Sequence, residues 1–175
     1  MHSPDGPPAD ELFTALYREL HAIAERQLHR GGSELSLGTT TLLHEAYLNI
    51  RGREGVAFAG RGQFLAYAAR AMRGLMIDYA RRGRAQKRGG EFHITSSWSN
   101  LATAQPAVPA ADLEQLGAAL DRLSETDAEL AQLVDLHFFC GFSLTELAEL
   151  RGVSRRTVQR DWTRARLLLH HLLQD

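Results

Sequence analysis

One stretch constrains this chain more than any other: Ser143 to His171, reading SLTELAELRGVSRRTVQRDWTRARLLLHH. Ser143 and Glu146 stand three apart, the spacing of a capping box, in which each side chain satisfies a backbone N–H at a helix start. Leu144, Leu147, Ala148 and Leu150 give the short helix that follows an apolar stripe. Gly152 breaks it, because glycine takes the left-handed conformation without a steric penalty. Ser154 then caps a second helix, whose first turns carry Arg155, Arg156, Thr157, Gln159 and Arg160. A short helix, a glycine turn and a basic second helix form the helix-turn-helix pattern, in which the second helix lies in the major groove of DNA. An ordinary helical hairpin would have no need of so basic a second helix.

The net charge of −1 says nothing about a nucleic-acid partner, but the distribution of charge does. Residues 1–50 hold three basic and seven acidic side chains, and residues 51–90 hold ten basic and two acidic. Residues 111–150 then hold one basic and nine acidic, and residues 151–175 six basic and two acidic. Two basic blocks, each beside an acidic one, predict two separate phosphate-facing surfaces. Cys140 is the single cysteine, so no intramolecular disulfide and no multi-thiolate zinc site is expected. No signal peptide and no apolar run of about 20 residues is evident, and the expected compartment is the cytoplasm.

Hydrophobic spacing predicts helices throughout. Residues 1–9, with three of the five prolines, are expected to be a disordered leader. Asp10 is expected to cap an amphipathic helix over 11–29, which Gly31 and Gly32 end. A second helix covers 39–51, opened by Thr39, Thr40 and Thr41. Residues 51–62 are loop-like, with four glycines and an isolated Phe58. A third helix runs from Phe64 to Arg88, with Leu65, Ala68, Ala69, Met72, Leu75, Met76 and Tyr79 on its apolar face and Arg70, Arg73 and Arg81 on the other. It ends in Arg81, Arg82, Arg84, Lys87 and Arg88, five cations within eight positions. That exceeds what complementing the helix dipole needs and favours phosphate tracking. Residues 91–110 read as a linker, in which Trp98 is expected to dock on a domain or a partner. Two further helices, to Leu123 and to Phe139, precede the helix-turn-helix. The expected fold is all-α: two small helical domains, 10–90 and 111–175, joined by a flexible linker.

With these pieces in order the chain resembles the extracytoplasmic-function sigma factors, small two-domain initiation subunits of bacterial RNA polymerase. "SLTELAEL" with "GVSRRTVQRDWTRAR" resembles the family's region 4. "HEAYLNI", followed across a glycine-rich loop by "FLAYAARAMRGLMIDYARR", resembles its region 2. The resemblance implies that the first domain binds the clamp helices of the polymerase core and opens the −10 promoter element. It implies that the second reads the −35 element and sits on the polymerase flap. On this basis Arg155, Arg156, Thr157, Gln159, Arg160 and Arg164 would meet −35 DNA, Arg164 through phosphate. Phe58, Arg70, Arg73, Arg81, Arg82, Arg84, Lys87 and Arg88 would meet −10 DNA or its backbone, Phe58 by stacking on a flipped base. Trp162 would pack into the domain core.

The family's acidic cluster before the "QEVFL"-like segment is missing here, where Gly38, Thr39, Thr40 and Thr41 occupy those positions. Either polymerase binding rests on Glu45, Asn49 and apolar contacts, with the threonines as helix caps, or a Ser/Thr kinase restores the charge. A phosphothreonine adds about −1.5 to −2 charges, which a helix N-terminus favours. An anti-sigma factor is the other regulatory partner the resemblance implies. The competing reading is a stand-alone helix-turn-helix regulator. No enzyme is expected, for the histidines form no ligand cluster and the glycine-rich loop lacks a P-loop signature. No metal or cofactor is expected either.

Overall fold

The computed structural model describes residues 6–30, 37–53, 56–86 and 110–175, and among them every regular element is helical. Residues 91–109 of the expected linker, with Trp98, and the basic residues Lys87 and Arg88 lie outside the described residues, as does the side chain of Arg84; Ala110, the last expected linker residue, begins a helix.

Where a single N-terminal helix was expected there are two, α1 (Ala9–Ala15) and α2 (Tyr17–Arg30). The break falls at Leu16, whose ψ of 17° leaves the helical range. It lets α1 lean onto the helix that carries Tyr47, where Phe13 meets Tyr47 at 4.6 Å between ring centroids and the Tyr47 hydroxyl donates to Asp10 Oδ1 at 2.9 Å. Asp10 is therefore not the cap. Pro8 holds that position, with φ fixed near −62°, and its carbonyl accepts from the amides of Glu11 and Leu12. Part of the expected leader is packed as well: Gly6 lies so close to the Phe58 carbonyl that a side chain would not fit.

Helix α3 (Thr39–Arg51) buries Leu42, Leu43, Ala46 and Ile50. Its N-cap is Gly38, which has no side chain to offer, so the three threonines form the first turn rather than capping it. Helix α4 (Arg61–Gln86) begins one turn earlier than expected and is 26 residues long, about 39 Å. Its core face carries Phe64, Leu65, Ala68, Ala69, Met72, Met76 and Ala80.

Beyond the undescribed segment come α5 (Ala110–Thr126) and α6 (Ala128–Val134), the second capped by Asp127, whose carboxylate accepts from the Leu130 amide at 3.2 Å. Helix α6 runs into a π-helical turn, Asp135–Phe139, in which the Cys140 amide reaches back five residues to the Asp135 carbonyl. Then follow α7 (Leu144–Arg151) and α8 (Arg155–Gln174). Helix α4 stands between the halves: α2 and α3 pack on it from one side, α5 and the π-turn from another. Buried side chains from Leu16 to Leu169 form one continuous core. The division into 10–90 and 111–175 follows the chain, but the described helices of both parts share that core.

Candidate nucleic-acid interface

The C-terminal pair of helices is fixed by local chemistry. The Ser143 hydroxyl accepts from the Glu146 amide at 3.1 Å, and Glu146 Oε2 accepts from the Ser143 amide at 2.7 Å. The Ser143 backbone amide first, and then the Ser143 hydroxyl, hold the Glu146 carboxyl below its ordinary pKa. Gly152 ends α7 at φ 65°, and its amide and that of Val153 return to the Glu149 and Ala148 carbonyls. Ser154 then caps α8 by accepting from the Thr157 amide at 3.1 Å. Val158, Ala165 and Leu169 anchor α8 in the core, and Trp162 packs its ring edgewise against His137 at 4.5 Å. The opposite face holds Arg155, Arg156, Gln159, Arg160 and Arg164, all exposed, with Thr157 half-buried beside its cap. Arg164 also lies 3.6 Å from the Asp127 carboxylate, so part of its charge is already answered. What remains is an outward row of donors on a rigid helix, suited to phosphates and base edges.

On α3, Thr40, Thr41, Glu45, Leu48 and Asn49 are exposed and Thr39 is half-buried. The first turn of α3 holds no acid. On α4, Arg70, Arg81 and Arg82 reach the surface. Among the described residues no group of His, Cys, Asp and Glu is arranged to hold a metal ion, and no helix is long and apolar enough to cross a membrane.

A family model for ECF sigma factors matches residues 2–175, nearly the whole chain. The chain belongs to the ECF sigma factor family. No curated protein and no solved structure matches it.

In this sigma factor two residues expected at the DNA surface sit elsewhere. Phe58 is only 2% exposed and packs edge-on against Phe64 and Tyr67, which closes the 56–60 loop onto α4. Its ring is core, not a platform for a base. Arg73 is 3% exposed, hydrogen-bonded to Asp135 and lying over the Phe139 ring at 5.2 Å. Burial holds the Asp135 carboxyl above its ordinary range, and the Arg73 guanidinium offsets only part of that rise. The acids that meet the α4 arginines went unrecognised in the sequence: Asp121 lies 3.1 Å from Arg70, and Glu114 lies 2.8 Å from Arg81. Their signal was available in the neighbouring blocks of opposite charge and in the seven-residue spacing of Glu114 and Asp121. Cys140 Sγ points at the Leu65 carbonyl at 3.7 Å, and burial pushes its thiol pKa up, so it is an unreactive packing group.

Proposed function

We propose that this ECF sigma factor directs core RNA polymerase to promoters. In this reading the helix-turn-helix α7–α8 reads the −35 element through Arg155, Arg156, Thr157, Gln159 and Arg160, with Arg164 on phosphate. The N-terminal helices hold the polymerase clamp through α3, at Glu45, Asn49 and the threonines. They follow −10 DNA through Arg70, Arg81, Arg82, Arg84, Lys87 and Arg88. The observation that supports this best is the twice-capped α7–α8 pair with its outward arginine row, on a chain that also carries the family's N-terminal helices. Run-off transcription from genomic fragments with core polymerase tests it: promoter-specific transcripts appear only when the sigma factor is added. Duplex binding by the chain alone with no gain in transcription would favour a stand-alone regulator instead.

The same reading extends to a kinase. The first turn of α3 has no side-chain cap and no acid among its residues, and Thr40 and Thr41 are exposed there. Phosphate there would be held by the helix dipole and would supply the charge that a basic polymerase surface needs. Replacing Thr39, Thr40 and Thr41 together by Asp is expected to strengthen polymerase pull-down about tenfold over the triple Ala variant. Equal capture of both variants and of unmodified wild type would remove the kinase from the account.

A further inference from the structure

Burial alone does not aim α8. Val158, Ala165 and Leu169 bind it to the core, but aliphatic contact is non-directional and resists separation more than rotation about the helix axis. The bond from the Thr157 amide to Ser154 lies within the first turn of α8 and orients nothing outside it. Arg164 lies 3.6 Å from Asp127, but its side chain is largely exposed, and such a pair is individually weak. Direction comes from His137, in the middle of the π-turn. The Phe142 carbonyl can only accept, so His137 Nδ1 carries the proton and donates to it at 2.6 Å. That bond fixes the plane of the imidazole. The same ring meets Trp162 of α8 edge-on, with centroids 4.5 Å apart and planes at 79°. Phe142 immediately precedes Ser143, the cap of α7, and its own amide returns to the Leu136 carbonyl at 3.0 Å. One side chain therefore ties the π-turn to the entrance of α7 and to the flank of α8.

We propose that His137 is the positioning residue of α8: held by the Phe142 carbonyl, it seats Trp162 and through it sets the rotation at which Gln159 and the neighbouring arginines meet base edges. This rests on the reading that α8 reads the −35 element. Trp162 follows Gln159 by three positions and Val158 by four, so it stands one turn from the donors it aligns. Side-chain heads on a helix lie roughly 5–6 Å from its axis, so a rotation of about 10° moves them by roughly 1 Å. Bidentate bonds to a base edge need two good angles at once and weaken steeply when those close. Phosphate contacts carry no sequence information and are made by long guanidinium side chains that follow a small displacement. Loss of the His137 contact is therefore a loss of discrimination before it is a loss of affinity.

The test uses holoenzyme assembled from the full chain and core polymerase, on a promoter recovered by run-off transcription and on the same promoter with its −35 element scrambled. The readout is the ratio of the two transcripts, because a variant that is merely less stable lowers both and leaves the ratio in place. His137→Phe fills the same space and cannot donate to Phe142, and Trp162→Leu removes the seated ring. Each is expected to lower the ratio about tenfold, within the range that one base-edge contact supplies. Together they are expected to lower it no further, since both break one connection. The corresponding ratio for a scrambled −10 element is expected to keep its wild-type value. In a Trp98→Phe background Trp162 is the one tryptophan of the chain. There His137→Phe is expected to raise its quenching by acrylamide and shift its emission to the red. If His137→Phe does not fold by circular dichroism, His137→Asn takes its place: it keeps the donor, loses the ring, and is expected to show the same loss. An unchanged −35 ratio in the His137 variant overturns the proposal, and so does a double variant whose loss multiplies the two single losses. If wild-type holoenzyme yields no promoter-specific transcript, the sigma-factor reading falls. The quenching then decides the seating alone: a rise sustains it and no change overturns it.

Discussion

Glu146 shows how one side chain can hold two functions in place. It closes the capping box on Ser143, and the bonds it accepts depress its carboxyl pKa. A depressed carboxylate contributes stability above its unfolded pKa, and that contribution is lost as pH falls through the lower folded value. Wild type is therefore expected to exceed Glu146→Gln in urea midpoint at pH 7. The gap should narrow and vanish as pH drops below the ordinary glutamate range near ~4.3, a comparison that parallel denaturation series would make. This residue was legible because Ser-x-x-Glu before an apolar run specifies both its neighbours and its bonds. Phe58 was not. An aromatic among glycines looks available for stacking, and only the fold reveals that the loop delivers it to Phe64 and Tyr67. Asp10 was misread for a related reason. Proline at 8 could start the helix without a side-chain cap, which freed the aspartate to bond Tyr47.

At the scale of the element, α8 is the part most completely readable in advance. Its cap, its apolar face and its arginine row all obey one 3.6-residue period, so each supports the others. Gln159 is exposed on that row two residues beyond Thr157, where a side-chain amide suits bidentate contact with adenine. Gln159→Ala is expected to relax preference at one base position by about 1–3 kcal/mol while leaving non-specific duplex affinity nearly unchanged. Competition between promoter variants in run-off transcription would show it. Helix α4 was harder to read, because a basic residue on a helix looks the same in sequence whether it faces solvent, phosphate or a carboxylate from elsewhere. Arg82 and Arg73 have similar surroundings in the chain, yet one is exposed and the other is sealed against Asp135 and Phe139. The pairing that decides between them comes from a segment some 50 to 60 residues away, which no local periodicity can anticipate.

For the whole molecule, the basic block on α4 and the acidic block on α5 and the π-turn meet across a shared core. The Arg73–Asp135 pair is the place where this can be measured. Arg73→Leu alone leaves a buried carboxylate without its partner and is expected to cost about 3–5 kcal/mol. Adding Asp135→Leu removes that carboxylate and is expected to recover most of the loss, a non-additivity that chemical denaturation of the two variants would report. Fold class and helix order were visible in the sequence, but the joining of the two halves was not, since it depends on pairs such as Arg70 with Asp121 and Arg81 with Glu114, which lie 51 and 33 residues apart in the chain. The π-helical turn at Asp135–Phe139 has one more consequence. Its five residues complete a turn that an α-helix completes in about 3.6, so the extra residue is absorbed within the turn. Deleting one residue inside it would restore ordinary helical bonding and leave the phase of α7 and α8 nearly unchanged, whereas deleting one from the regular turns of α6 would rotate everything after it by about 100°. The chain can therefore lose a residue at this one turn without re-aiming the helices that follow.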